Sequence, residues 1–183
     1  MSEPKTLPKP TAEEVAHSEA LAFEIVKMMD ENGGSIPFSR FFNEALYHPK
    51  WGYYTSGIPI FGAEGDFVTA PLISPYFSFA LANTCAEILP PLNNPKPLEL
   101  GAGDGTMARD LLLRLERIDQ LPDEYWIIEV SPQLRERQAQ RIKAALPQDF
   151  DSVKWLEHPP EEAWEGISVG NEVLDALAVE RFT

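Results

Sequence analysis

Basic residues and cysteine are what this chain is short of. It has 15 Lys and Arg against 29 Asp and Glu, with three His, for a formal net charge of -14. Such an excess repels nucleic-acid phosphates and anionic lipid heads, so nucleic acid is excluded as a partner and the charge serves solubility or cationic ligands. The single cysteine, Cys85, excludes an intramolecular disulfide framework and a Cys-rich metal centre, and fits a reducing compartment. No run approaches the roughly 18 apolar residues of a membrane span, and the opening "MSEPKTLPKPTAEEVAHSEA" has no apolar signal core. The expectation is a cytoplasmic protein without membrane insertion, whose 183 residues suffice for one domain with a sizeable core.

Periodicity divides the chain into three stretches. Residues 1–10, with three prolines, read as a flexible tail. Residues 11–90 read as N-terminal helices and a covering loop. Thr11 and Glu14 have capping-box spacing, and Val15, Ala22, Ile25, Val26 and Met29 follow at helical intervals up to "NGG" at 32–34. A second helix is predicted over "SIPFSRFFNEALYH", with Phe38, Phe41, Phe42, Ala45 and Leu46 on its buried side. From Pro49 to Pro75 glycine, proline and aromatics crowd together as a long ordered loop, and a helix follows over "SPYFSFALANTCAEIL". In residues 91–183 strands "PLELG", "EYWIIEVS", "VKWLE" and "GISVGNEV" alternate with helical segments, the pattern of a parallel α/β sheet.

The corner "LELGAGDGT" (98–106) carries the chemistry. Gly101, Gly103 and Gly105 follow a strand and precede a helix, so a ligand can lie directly on the backbone at the carboxyl edge of the sheet. A dinucleotide is the first candidate. Against it, Thr106 stands where the G-x-G-x-x-G/A fingerprint needs a small residue, and Asp104 would repel a pyrophosphate at the helix N-terminus. S-adenosyl-L-methionine meets both objections, because it has no phosphate and carries a positive sulfonium and ammonium. Glu99 is a candidate for the ammonium, and Glu129, ending the next strand, for the ribose hydroxyls; a solvated strand-end carboxylate is the alternative for Glu129.

Five blocks occur in fixed order: "ALYHPKWGYYT" (45–55), "GDFVTAPLISPYF" (65–77), "LELGAGDGTMARDLL" (98–112), "IIEVSPQLRERQ" (127–138) and "GNEVLDALAVERF" (170–182). Over about residues 20–183 this series resembles the MidA-like S-adenosyl-L-methionine-dependent methyltransferases. One departure is Ala178, where that family usually has proline.

The resemblance implies a Rossmann-like class I methyltransferase fold, a parallel sheet with helices on both faces. The chain would then be the N-terminal part of a longer enzyme, since only about four strands of the larger sheet can be counted. It implies a protein substrate, an arginine of a respiratory complex I subunit in the mitochondrial members, which work in the matrix. Carried over by position, Glu99, Gly101, Ala102, Gly103, Gly105 and Glu129 would bind the cofactor. Gly65, Asp66 and Thr69 would form a loop beside it, with turn capping the alternative for Asp66. Tyr47, His48, Tyr53 and Tyr54 would close the pocket or pack the loop; Trp155, Leu156 and Glu157 are available to adenine or to strand packing. No metal is expected, since His48 has no second ligand at metal-site spacing.

If the methyl acceptor is an arginine, its guanidinium is protonated and needs carboxylates to orient it. Glu172, with Asp175 and Asn171, stands at the end of the fourth strand as the candidate catalytic group, a helix-capping cluster being the alternative. The competing functions are a non-catalytic assembly protein that retains the cofactor fold, and an NAD-dependent oxidoreductase.

Overall fold

The computed structural model describes residues 9–57, 60 and 67–181. The chain divides into two compact units, Met1–Ile58 with Leu177–Thr183, and Pro59–Ala176.

In the first unit, helix α1 runs Ala12–Glu31. Its capping box forms as expected: Thr11 N donates to Glu14 Oε2 (2.6 Å) and Glu14 N to Thr11 Oγ1 (3.2 Å). Helix α2 is Phe38–Tyr47. The expected buried face is only partly realised, because Val15, Val26, Phe38 and Phe41 remain exposed and only Ile25 of α1 is buried. Phe38 instead stacks on Phe42 (5.7 Å between centroids) under the Arg181 guanidinium. A unit this small has too little interior to cover every apolar face.

The second unit holds the sheet. Its helices are α3 (Ala70–Ile73), α4 (Pro75–Ile88), α5 (Thr106–Arg117) and α6 (Pro132–Ala145). Helix α3 lies within the stretch expected to be loop; four residues are too few to show a period. Strands β1 (Leu98–Leu100), β2 (Tyr125–Ile128), β3 (Val153–Leu156) and β4 (Ser168–Gly170) form a parallel sheet in the order β3-β2-β1-β4. This is the Rossmann-like α/β fold expected from the alternation of strands and helices.

In register, Glu99 stands opposite Ile127 and Val169, so these three share a face, with Tyr125 two residues from Ile127. That face is buried under Ala82 and Cys85 of α4, Leu111 and Leu115 of α5 and Ile142 of α6. Burying each such leucine contributes about 1.5–3 kcal/mol. The alternate row is less covered: Trp126, Ile128 and Leu156 are half-buried, and Lys154 and Ser168 exposed.

The strand order has a functional consequence. The chain moves outward from β1 to β2 to β3, then returns to place β4 on the other side of β1. The carboxyl ends of β1 and β4 therefore flank a topological switch point, where loops diverge and open α/β sheets bind ligands.

Candidate functional site

Both candidate clusters lie at that switch point. Gly101 continues the ladder by donating to Ile128 O (3.0 Å), and the chain then turns through Gly101, Gly103 and Gly105 at φ 59°, 55° and 83°. Gly101 is exposed, while Ala102 between the glycines packs into the core. Gly105 caps α5, and α6 crosses so close that a Cβ there would lie 2.9 Å from Gln138 Cα.

Asp104 plays a different part from the one its charge suggests. It accepts from Thr106 N (3.0 Å) at the helix start and pairs with Arg141 Nη2 (3.0 Å), which also donates through Nη1 to Thr106 Oγ1. It is therefore an ion-paired turn residue rather than a free repulsive charge, and the electrostatic case rests on two other carboxylates.

The first is Glu99, which has no solvent exposure. Tyr125 donates its hydroxyl to Oε2 (2.6 Å), whereas Oε1 has no partner among the described residues. Burial pushes its pKa up to about 7 from an ordinary 4.5, the Tyr125 hydrogen bond opposes this, and the Glu129 charge adds to it. Burial, with the charge of Glu99, also holds the Tyr125 phenol protonated well beyond its ordinary range.

The second is Glu129, almost wholly buried, so the solvated alternative does not hold. Ser131 N donates to Oε1 (3.0 Å) and Gln138 Nε2 to Oε2 (3.0 Å). Burial raises its pKa, opposed by these two donors and the nearby Arg135. The Val130 backbone donates as well, so of a carboxylate's roughly four acceptor sites there is room for a further donor.

Helix α6 ties these parts together, a role that no local pattern in the sequence announces. Gln138, fully buried, also donates to Gly103 O (2.8 Å) and accepts from Trp155 Nε1 (2.8 Å). Arg135 Nε bonds the Glu129 carbonyl, and its Nη2 reaches Leu156 O (3.3 Å). Three polar residues spaced three apart on a helix read as a solvated face; the only clue is that "RERQAQR" closely follows the strand carrying Glu129.

After β4, Asn171 is half-buried, and Glu172 and Asp175 are exposed, the latter in a single 3-10 turn (Leu174–Ala176). Glu172 sits at φ 53°, a left-handed conformation uncommon for a non-glycine residue. Val173 returns over the corner, its Cγ2 3.5 Å from where a Cβ on Gly101 would be. The two clusters are thus neighbours along one sheet edge.

Thr69 is half-buried and precedes α3, whereas Gly65 and Asp66 lie outside the described residues. In the first unit, Tyr47 stacks on Tyr54 (5.5 Å), which Tyr53 meets edge-on, and His48 Nδ1 accepts from Trp51 N (3.1 Å). Trp155 is committed to Gln138, and Glu157 lies 3.9 Å from Arg135. Burial pushes Cys85 up to about 11, leaving it a protonated core residue, and no cluster of three or more metal-ligating side chains occurs among the described residues.

A bare glycine corner, an unpartnered buried carboxylate oxygen and a second, pre-oriented carboxylate suit a cationic nucleoside better than a diphosphate. The protein is thus a Rossmann-like α/β protein with a nucleoside-type corner at its switch point. Residues 80–183 match the model of a family described as "Putative S-adenosyl-L-methionine-dependent methyltransferase", and the chain belongs to that family.

Among its relatives is a mitochondrial protein arginine methyltransferase NDUFAF7 homolog of Drosophila melanogaster, 34% identical over 99% of this chain and 46% of that protein. The Xenopus laevis protein arginine methyltransferase NDUFAF7 is 37% identical over 60% of this chain and 26% of its own length. A Burkholderia thailandensis structure bound to S-adenosyl-homocysteine is 41% identical with a TM-score of 0.86, covering 94% of this chain and 46% of that one. The chain therefore spans about half the length, or less, of the relatives it matches. No helix among the described residues is long and apolar enough to cross a membrane.

Proposed function

We propose that this chain binds S-adenosyl-L-methionine at the β1–α5 corner and serves methyl transfer to an arginine of a protein. The observation that carries the reading is the pair of buried carboxylates, Glu99 with an oxygen unpartnered among the described residues and Glu129 with both oxygens oriented, beside three bare glycines. In this assignment Glu99 faces the ammonium, Gly101, Ala102, Gly103 and Gly105 offer backbone to the methionine and ribose portions, and Glu129 accepts from the ribose hydroxyls. Gly65, Asp66 and Thr69 belong to the covering loop. The arginine reading takes its support from the relatives' names. A respiratory complex I subunit as acceptor follows from the family resemblance alone, and the cytoplasm as the compartment from the sequence features given above.

When bound, the cofactor supplies a methyl group on a sulfonium. The chain's own work is alignment and charge handling. Glu172, exposed at the switch point, pairs with the guanidinium and fixes its orientation, Asp175 takes up the proton released as the nitrogen is methylated, and Asn171 supports the turn. The left-handed backbone at Glu172 supports a functional turn, since such strain gathers at sites where geometry is demanded.

The test has two arms. The chain should bind S-adenosylhomocysteine and not NAD(H) in equilibrium titration. In the methylating protein, mass spectrometry should show methylarginine on the acceptor, reduced about tenfold to hundredfold by Glu172→Gln with S-adenosylhomocysteine affinity unchanged. Undiminished methylation removes Glu172 from the reaction, and NAD(H) binding in place of S-adenosylhomocysteine removes the methyltransferase reading.

A further inference from the structure

We infer that Gln138 is the positioning residue of the cofactor site, coupling the glycine turn to the carboxylate proposed for the ribose. The inference rests on the cofactor reading above. Its ground is that one fully buried amide reaches three separate elements: Gly103 O in the turn (2.8 Å), Glu129 Oε2 at the end of β2 (3.0 Å) and Trp155 Nε1 on β3 (2.8 Å).

The partners fix which end of the amide faces which way. Gly103 O and a carboxylate both need a donor, and an indole N–H needs an acceptor, so Nε2 must face the turn and Glu129 while Oε1 faces Trp155. Both ends of the Gln138 amide are thereby engaged. Its main chain acts as well, since α6 lies against Gly105 at Gln138 Cα. Turn, carboxylate and the third strand consequently hold one relative geometry before any ligand arrives, which lowers the ordering cost of binding. Neither Ser131 N, which touches only Glu129, nor Arg141, which touches only the Asp104 and Thr106 end of the turn, makes this connection.

Two substitutions separate positioning from mere packing. Gln138→Leu keeps the bulk and removes both donated bonds. Gln138→Glu keeps an acceptor for Trp155 but sets a second carboxylate against Glu129, so its donor returns only when the pair holds a proton. Carboxyl NMR titration of Glu129 without cofactor should show its pKa rising further in Gln138→Leu, because a donor that favours the charged form is gone. S-adenosylhomocysteine affinity should fall about tenfold in Gln138→Leu near pH 8, with no recovery towards wild type as the pH falls. In Gln138→Glu it should fall about a hundredfold near pH 8 and recover to within about fivefold of wild type near pH 5.5.

A merely structural role would not give a pH-dependent recovery confined to one variant. If Gln138→Glu fails to fold near pH 8, Gln138→Leu decides: the raised Glu129 pKa with weakened binding supports the role. Unchanged binding in Gln138→Leu overturns the positioning role while leaving the cofactor reading intact. A wild-type chain that takes up no S-adenosylhomocysteine overturns both.

Discussion

Gly105→Ala should cost about 2–5 kcal/mol of folding stability, far more than a surface glycine substitution. Two terms add. An L-residue held at φ 83° carries a conformational penalty of about 1–2 kcal/mol. The new Cβ would also sit 2.9 Å from Gln138 Cα and 3.3 Å from its Cβ and Cγ, and the nearest of these is helix backbone that cannot rotate away. Overpacking of this kind costs about 1–3 kcal/mol. Gly33 is the control, because it has φ 78° but no atom within 4 Å of where a Cβ would stand, so Gly33→Ala carries only the first term. Urea unfolding of the two variants isolates the contact. Equal losses would mean that α6 does not press on the turn.

The second large effect concerns pH. Glu99 has a folded-state pKa of about 7 against an ordinary 4.5. The sign follows from linkage: below about pH 4.5 the group is protonated in both states and its contribution is fully present. As pH rises towards 7 the unfolded chain releases the proton while the folded chain retains it, and stability is lost. Above the folded pKa the loss is complete, about 3 kcal/mol in order of magnitude. Glu99→Gln should remove this slope, so the wild-type minus variant difference in unfolding free energy should fall across that window. The general acidity of the chain, common to both proteins, cancels in the difference.

Ligand binding should run the other way. An ammonium beside Oε1 favours the ionised carboxylate, so wild-type affinity for S-adenosylhomocysteine should rise as pH climbs towards 7 and level off above it. Glu99→Gln should bind about tenfold or more weakly, without that rise. A variant with wild-type affinity and wild-type pH dependence would remove Glu99 from the site.

How much of this is legible in the sequence follows from what each residue does locally. The strands and the glycine corner are legible because short apolar runs and a glycine triplet are local signals, and the capping box of α1 is set by two residues three apart. The switch point is not, because nothing local says that β4 returns to pair with β1. Asp104 reads as a charge but not as half of a pair, since Arg141 is 37 residues on and meets it only through the crossing of α6 over the turn. Tyr125 reads as an ordinary strand aromatic, and its hydroxyl matters only because Glu99 faces the same side of the neighbouring strand. Exposed Phe38 and Phe41 show the converse limit, in which an apolar period marks a face without supplying its cover.

Whether this corner receives a nucleoside bearing positive charge is tested most directly by a crystal of the chain soaked with S-adenosylhomocysteine. The expected result is ribose hydroxyls within hydrogen-bond distance of Glu129, the amino group facing Glu99 Oε1 and the ligand lying along Gly101 and Gly103. A ligand seated elsewhere, or a corner that stays empty while solution binding is also absent, would contradict it.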